Sequence, residues 1–210
     1  EAIVLPLGAD QDAVPAQTER FAPNAGDGNA DGVQDLQQDH VVSLPLAELP
    51  EFVTIVARPG AVFTQAAVNV VPPSSSSIPD QVSDGIGEIA FAVTSAEAAG
   101  RIDLLFEVGQ AINTWYHFGP TLDNPVPHWY EFLFDGRTGA QLFDADQDGL
   151  VEQVRLHLID GERGDADLAA DGKLRVQSLA AASATAPPPG GQPLRIRGTA
   201  RSDRIVVSWD

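Results

Sequence analysis

Two stretches of this chain, 102–107 and 154–159, alternate side chains with period two. Ile102, Leu104 and Phe106 fall on one side, opposite Asp103, Leu105 and Glu107; Val154, Leu156 and Leu158 likewise oppose Arg155, His157 and Ile159. A strand sends successive side chains to opposite faces, so this pattern describes strands with one buried face. From Val41 onward the same β-rich texture recurs in short runs such as "VVSLPL", "EFVTIVA", "IGEIAFAVT", "HWYEFLF" and "KLRVQSLA". Gly, Pro and Asp turns separate them at the spacing of roughly 8–12 residues that suits a sandwich. The 19 glycines and 16 prolines favour many short elements over long helices. The fold expected is all-β, an antiparallel β-sandwich of Ig-like or jelly-roll-like type. An irregular acidic segment over 1–39 precedes the sandwich, which spans 40–180. Residues 181–193 are expected to form a Pro/Gly/Ala linker, and 194–210 a C-terminal strand or the start of the next module. The Ser/Pro-rich stretch 70–85 is expected to be a long exposed loop.

The formal net charge is −18, from 30 acids against 12 bases. Such a surface repels nucleic acid and anionic lipid, and it attracts cations. No run reaches the roughly 20 apolar residues of a membrane span. With no cysteine there is neither a disulfide framework nor a thiolate metal site. The chain starts at Glu1, which is read as a processed form or part of a larger protein.

The acids are patterned. In "FDADQDGLVEQV", Asp144, Asp146 and Asp148 alternate, Gly149 turns the chain, the Leu150 carbonyl follows and Glu152 adds a further acid. Calcium is a hard cation that takes six to eight oxygens, and alternate carboxylates, a carbonyl and a glycine turn supply them. Arg155 stands where an EF-hand has its bidentate Glu, and a strand follows, so the expectation is a calcium-capped hairpin. A second copy holds Asp27, Asn29, Asp31, the Val33 carbonyl and Asp35, with Gly32 at the turn and Gln38 in the terminal position. A third, weaker copy keeps Asp10, Asp12 and Glu19, with Gly8 and Ala16 where acids would stand. Asp165 and Asp167, with Asp160 and Asp171, either complete the site of the 144–152 loop or form a polar connection. Ca2+ is the expected cofactor. The tandem N-terminal arrangement resembles thrombospondin type 3 repeats, in which irregular chain wraps around calcium.

The segment 113–136 concentrates aromatic residues in two strands. Trp115, Tyr116, Trp129 and Tyr130, with His117 and His128, are candidates for a ligand-binding platform, since flat rings complement sugar faces; the competing assignment is sandwich core. His117 and His128 could also converge on a transition metal. No nucleophile elbow, Walker loop, dinucleotide fingerprint or zincin helix occurs, and no enzyme activity is expected. Arg163-Gly164-Asp165 matches the tripeptide read by integrins.

The stretch "YHFGPTLDNPVPHWYEF", followed by "LHLIDGERGDADL" at Leu156 to Leu168 and preceded by "DGNADGVQDLQQDHVVSLP", resembles the choice-of-anchor U domain of bacterial surface proteins over about residues 20–175. The resemblance implies a β-rich extracellular module, secreted or on a cell surface; a cell-surface glycan or protein is the partner class expected of such a module. It implies no activity. The family motif includes Asp123, Asn124, His128, Arg163, Asp165 and Asp167, which either bind a ligand or fix the loops. The "FDADQDGLVEQ" insertion is longer than the family's usual turn.

Overall fold

In the computed structural model the described residues are 10–70, 78, 81–82, 86–94 and 99–183. Residues 1–9 of the acidic segment, most of the 70–85 loop, the Pro-rich part of the linker and the 194–210 segment lie outside them.

Eleven strands follow one another among the described residues: β1 Val41–Pro45, β2 Phe52–Val56, β3 Val62–Asn69, β4 Gln81–Val82, β5 Glu88–Thr94, β6 Ala99–Gln110, β7 Thr114–Gly119, β8 His128–Glu131, β9 Gly139–Phe143, β10 Val151–Ile159 and β11 Lys173–Ala182. They form two antiparallel sheets, ordered β1-β2-β6-β10-β9 and β3-β5-β11-β7-β8, with β4 added to the end of β11. The chain is an all-β sandwich. Ile102, Leu104, Phe106, Val154, Leu156 and Leu158 of the first sheet meet Phe63, Ile89, Phe91, Val93, Leu174 and Val176 of the second in one core. These are the inward residues of the period-two pattern, and burying them supplies the main stabilisation.

Two features differ from the sequence expectation. The Ser/Pro-rich stretch is not wholly an exposed loop: Gln81 and Val82 pair with Ala182 and Ala181, and Ile78 is buried against Tyr116, Leu179 and Ala181. β11 runs through Ala182, two residues into the stretch assigned to the linker, and Ala181 is fully buried. Alanine runs carry little sequence signal for a strand, and here β7 and β4 supply the pairing.

Phe132 carries the chain from one sheet to the other. Its N–H donates to the Trp115 carbonyl, and its own carbonyl accepts the Ala140 N–H at 2.6 Å. A Cβ on Gly139 would lie 2.3 Å from the Leu133 carbonyl oxygen, and its φ is +124°, so this crossing requires glycine. The acidic segment packs on the outer edge of the first sheet through a helical turn at Ala16–Glu19 (α1) and a 3-10 turn at Asp35–Gln37.

Candidate metal centres

The loops at 27–35 and 144–152 have the same architecture. Asp31 and Gly32 donate their N–H groups to the two Asp27 oxygens at 3.0 and 2.9 Å; Asp148 and Gly149 do the same to Asp144 at 3.2 and 3.0 Å. Asn29 and Asp146 each accept the N–H two residues on, both at 3.2 Å. Asp31 and Asp148 accept from Val33 and Leu150 at 2.9 and 2.8 Å. Asp35 and Glu152 close each loop by accepting the N–H of Gly28 and Ala145. Even the left-handed residues coincide: Ala30 and Gln147 at φ +57° and +66°, Gly32 and Gly149 at +91° and +93°. Short side-chain acceptors that hold their own backbone favour such turns, which is why the Asp/Asn-rich spacing folds this way.

The loops differ in where their last acid points. Asp144, Asp146, Asp148 and Glu152 bring ligand oxygens within 4.8 Å of one another. Asp27, Asp31 and Asp35 form no such group, because Asp35 turns inward. It is fully buried and accepts from the Ser43 hydroxyl at 2.6 Å, and Ser43 bonds Thr54 at 2.7 Å. Burial raises its pKa, helped by the Asp27 and Asp31 charges, while Ser43 and the Gly28 N–H pull the other way. Gln38 reaches back to donate to Asp31 Oδ1 at 3.1 Å and to the Val33 carbonyl at 3.0 Å, so an amide already serves two oxygens expected to ligate. Asp31 is held below the usual carboxylate range by the Val33 N–H, then by Asn29 and Gln38.

The third, weaker copy is the most enclosed. Ligand oxygens of Asp10, Asp12 and Glu19 lie within 4.8 Å of one another. Glu19 is 0% exposed, and neither of its oxygens has a hydrogen-bond partner among the described residues; one oxygen each of Asp10 and Asp12 is likewise buried and unpartnered there. Burial pushes Glu19 up to about 9, reinforced by Asp12, Asp10 and Asp35. The Ser43 backbone N–H pulls it the other way. Burial likewise pushes Asp12 up to about 7, with Asp10 and Asp39 adding repulsion.

Asp165 and Asp167 do not join the 144–152 loop. Asp165 is buried and accepts the N–H groups of Gly161 and Arg175 at 3.0 and 3.1 Å. Asp167 pairs with the Arg175 guanidinium. The corner nonetheless repeats part of the loop design: Asp171 and Gly172 donate to the two Asp160 oxygens at 3.3 and 2.8 Å, and Lys173 donates to Asp171 at 3.0 Å. Arg163 also works inside the fold. It lies 4.6 Å over the Phe132 ring and donates to the carbonyls of Glu131, Leu133 and Thr138. With Gly164 and Asp165 buried, Arg163-Gly164-Asp165 is a structural corner and is not displayed for an integrin.

The aromatic platform is not assembled. Trp115, Tyr116 and His117 are 0%, 5% and 0% exposed, so none can stack on a sugar. β7 lies between β11 and β8, with Trp115 in the main core and Tyr116 in a smaller cluster on the opposite face. Trp129 and Tyr130 are half-buried. Among the described residues neither His117 nor His128 belongs to a group of metal-ligating side chains: each packs against Tyr130 with ring centroids 5.6 Å apart, and His128 Nδ1 lies 2.8 Å from the Val126 carbonyl oxygen. The family-motif residues Asp123 and Asn124 hold the β7–β8 loop through Thr121 and the Val126 N–H.

Compared with family models, curated proteins and solved structures, the chain has no match. The DxDxDG spacing made both surface loops findable from sequence. Nothing in it marked Glu19 as buried, or Arg175 as the partner of Asp167 and Asp171.

Proposed function

We propose that this chain is a calcium-binding, calcium-stabilised extracellular module of a bacterial surface or secreted protein, with a structural or adhesive role. The observation that carries the reading is the convergence of Asp144, Asp146, Asp148 and Glu152 within 4.8 Å at the head of β10. Four carboxylates this close repel one another, and with the Leu150 carbonyl they offer the oxygen-only set that suits calcium. The twin loop at 27–35 supports the reading by building the same backbone scaffold at another point of the chain. The motif resemblance to choice-of-anchor U domains supports the cell-surface setting, where calcium is abundant enough to fill weak sites. An ion present about 100-fold above its dissociation constant adds roughly 2.7 kcal/mol of stability per site, large beside the ~5–15 kcal/mol of an ordinary domain.

The test is a thermal melt in EDTA, then in rising calcium, with magnesium as control. A rise in Tm selective for calcium, reduced in Asp146→Asn, is expected. An unchanged melt in calcium overturns the proposal.

A further inference from the structure

We propose that Asp10, Asp12 and Glu19, with Asp39 beside them, enclose a divalent-cation site that staples the N-terminal segment to the sandwich. The inference rests on the calcium reading only for the identity of the ion; the residues and the evidence are different.

Four carboxylate oxygens that are buried and without hydrogen-bond partners among the described residues meet here: both of Glu19 and one each of Asp10 and Asp12. Buried polar groups are almost always paired, and an unpaired buried charge is far costlier than an unpaired neutral group. The charges acting on Glu19 are Asp12, Asp10 and Asp35, and those acting on Asp12 are Asp10 and Asp39, all of the same sign. The neighbouring cation, Arg20, has an exposed side chain. Among the described residues no hydrogen bond brings a cation to these oxygens, and a divalent ion from solution would supply the positive charge. A set made only of carboxylates selects a hard divalent ion such as calcium over zinc or copper.

The surroundings make this site a staple. Val14, between Asp12 and Glu19, sits in the main hydrophobic core, and Ala16 is buried. Asp39 closes the segment: its carboxylate accepts the Gln11 N–H at 3.3 Å and its carbonyl accepts the Phe63 N–H at 3.1 Å, on β3. An ion among these acids ties residues 10–19 to the chain as it enters β1, and holds Val14 in the core. In the 144–152 loop the acids lie at the surface and hold only their own hairpin.

Arg20 is the only Lys or Arg in residues 1–39, so trypsin reports on this segment at a single bond, Arg20–Phe21. With calcium present, cleavage there is expected to be at least tenfold slower than in EDTA, while the urea-unfolded chain is cut equally in both buffers. Glu19→Gln, which keeps the shape and removes the charge, is expected to raise Tm in EDTA and to abolish calcium protection at Arg20. Asp146→Asn is expected to keep that protection. Equal cleavage of the wild type with and without calcium overturns the staple, even if the melt still responds to calcium through the 144–152 loop. Persisting calcium protection in Glu19→Gln, or a fall in its EDTA Tm, overturns it as well.

Discussion

Arg175 stands four residues beyond Asp171 and pairs with it at 3.2 Å, in the position that Asp35 holds after Asp31 and Glu152 holds after Asp148. Three Asp-Gly turns thus lead toward strands with the same backbone clasp, and the third ends in a base where the others end in an acid. The guanidinium also pairs with Asp167. A fixed cation from the chain itself occupies the acidic corner.

Replacing it inverts the design. Arg175→Glu should lower Tm in EDTA, since Asp167, Asp171 and Asp165 lose their counter-charge, and should increase the calcium-dependent gain in Tm. Calcium stoichiometry by titration calorimetry measures the change directly: one additional ion per chain is expected in the variant. Asp171→Asn in the otherwise native chain should leave the number of bound ions unchanged, because the native corner needs none.

The Asp35–Ser43–Thr54 network leaves no room above it. A Cβ on Gly28 would lie 2.1 Å from Thr54 Oγ1 and 2.6 Å from Ser43 Oγ. Gly28→Ala should cost about 1–3 kcal/mol, the usual range for overpacking. Adding Thr54→Ala should recover part of that loss, a non-additivity visible in urea unfolding of the two single variants and the double.

His117 makes stability fall in acid. Burial, then the Arg163 charge, moves its pKa down from 6.5 to about 3. Between those values the unfolded chain takes up a proton that the folded chain refuses, so stability is present above 6.5 and is lost as pH falls through the window. The slope from this one group is about 1.4 kcal/mol per pH unit. Since carboxylates titrate over the same range, the measurement is the difference in slope between wild type and His117→Gln, from urea midpoints at pH 4.5 to 6.5. The variant should show the shallower dependence.

The two surface loops should respond differently to loss of an acid. Asp31 accepts N–H groups from both Val33 and the Gln38 side chain, so Asp31→Ala should lower Tm in EDTA as well as in calcium. Asp146 accepts only the Asp148 N–H among the contacts described. Asp146→Asn keeps that acceptor, and should leave the EDTA melt unchanged while reducing the calcium response.

What the sequence disclosed follows from how local each signal is. Ile102, Leu104 and Phe106 announce a half-buried strand without reference to anything else in the chain, and so do Val154, Leu156 and Leu158. The two surface loops are equally local, because each carboxylate bonds a backbone N–H within a few residues of itself. Trp115 and Tyr116 mislead for the opposite reason. Whether an aromatic strand is displayed or enclosed depends on β11 and Ile78, which are distant in sequence. Glu19 is the same case. Its copy of the loop looks weakest because acids are missing at Gly8 and Ala16, yet its burial comes from packing of α1 against β1. Arg175 escaped notice because its partners Asp167 and Asp171 are read as ligands until the arginine is seen between them.

The last of the described strands lies in the middle of its sheet. β11 pairs with β5 over seven residue pairs from Lys173 to Leu179, and with β7 over four from Ser178 to Ala181. Until residues 173–182 have been synthesised, β3–β5 and β7–β8 are two separate hairpins with nothing to join them. The second sheet therefore cannot close before residues 173–182 have emerged. Its completion waits on contacts between distant parts of the sequence, the kind that makes folding slow, and in that interval both hairpins expose unpaired edges that β11 alone will cover.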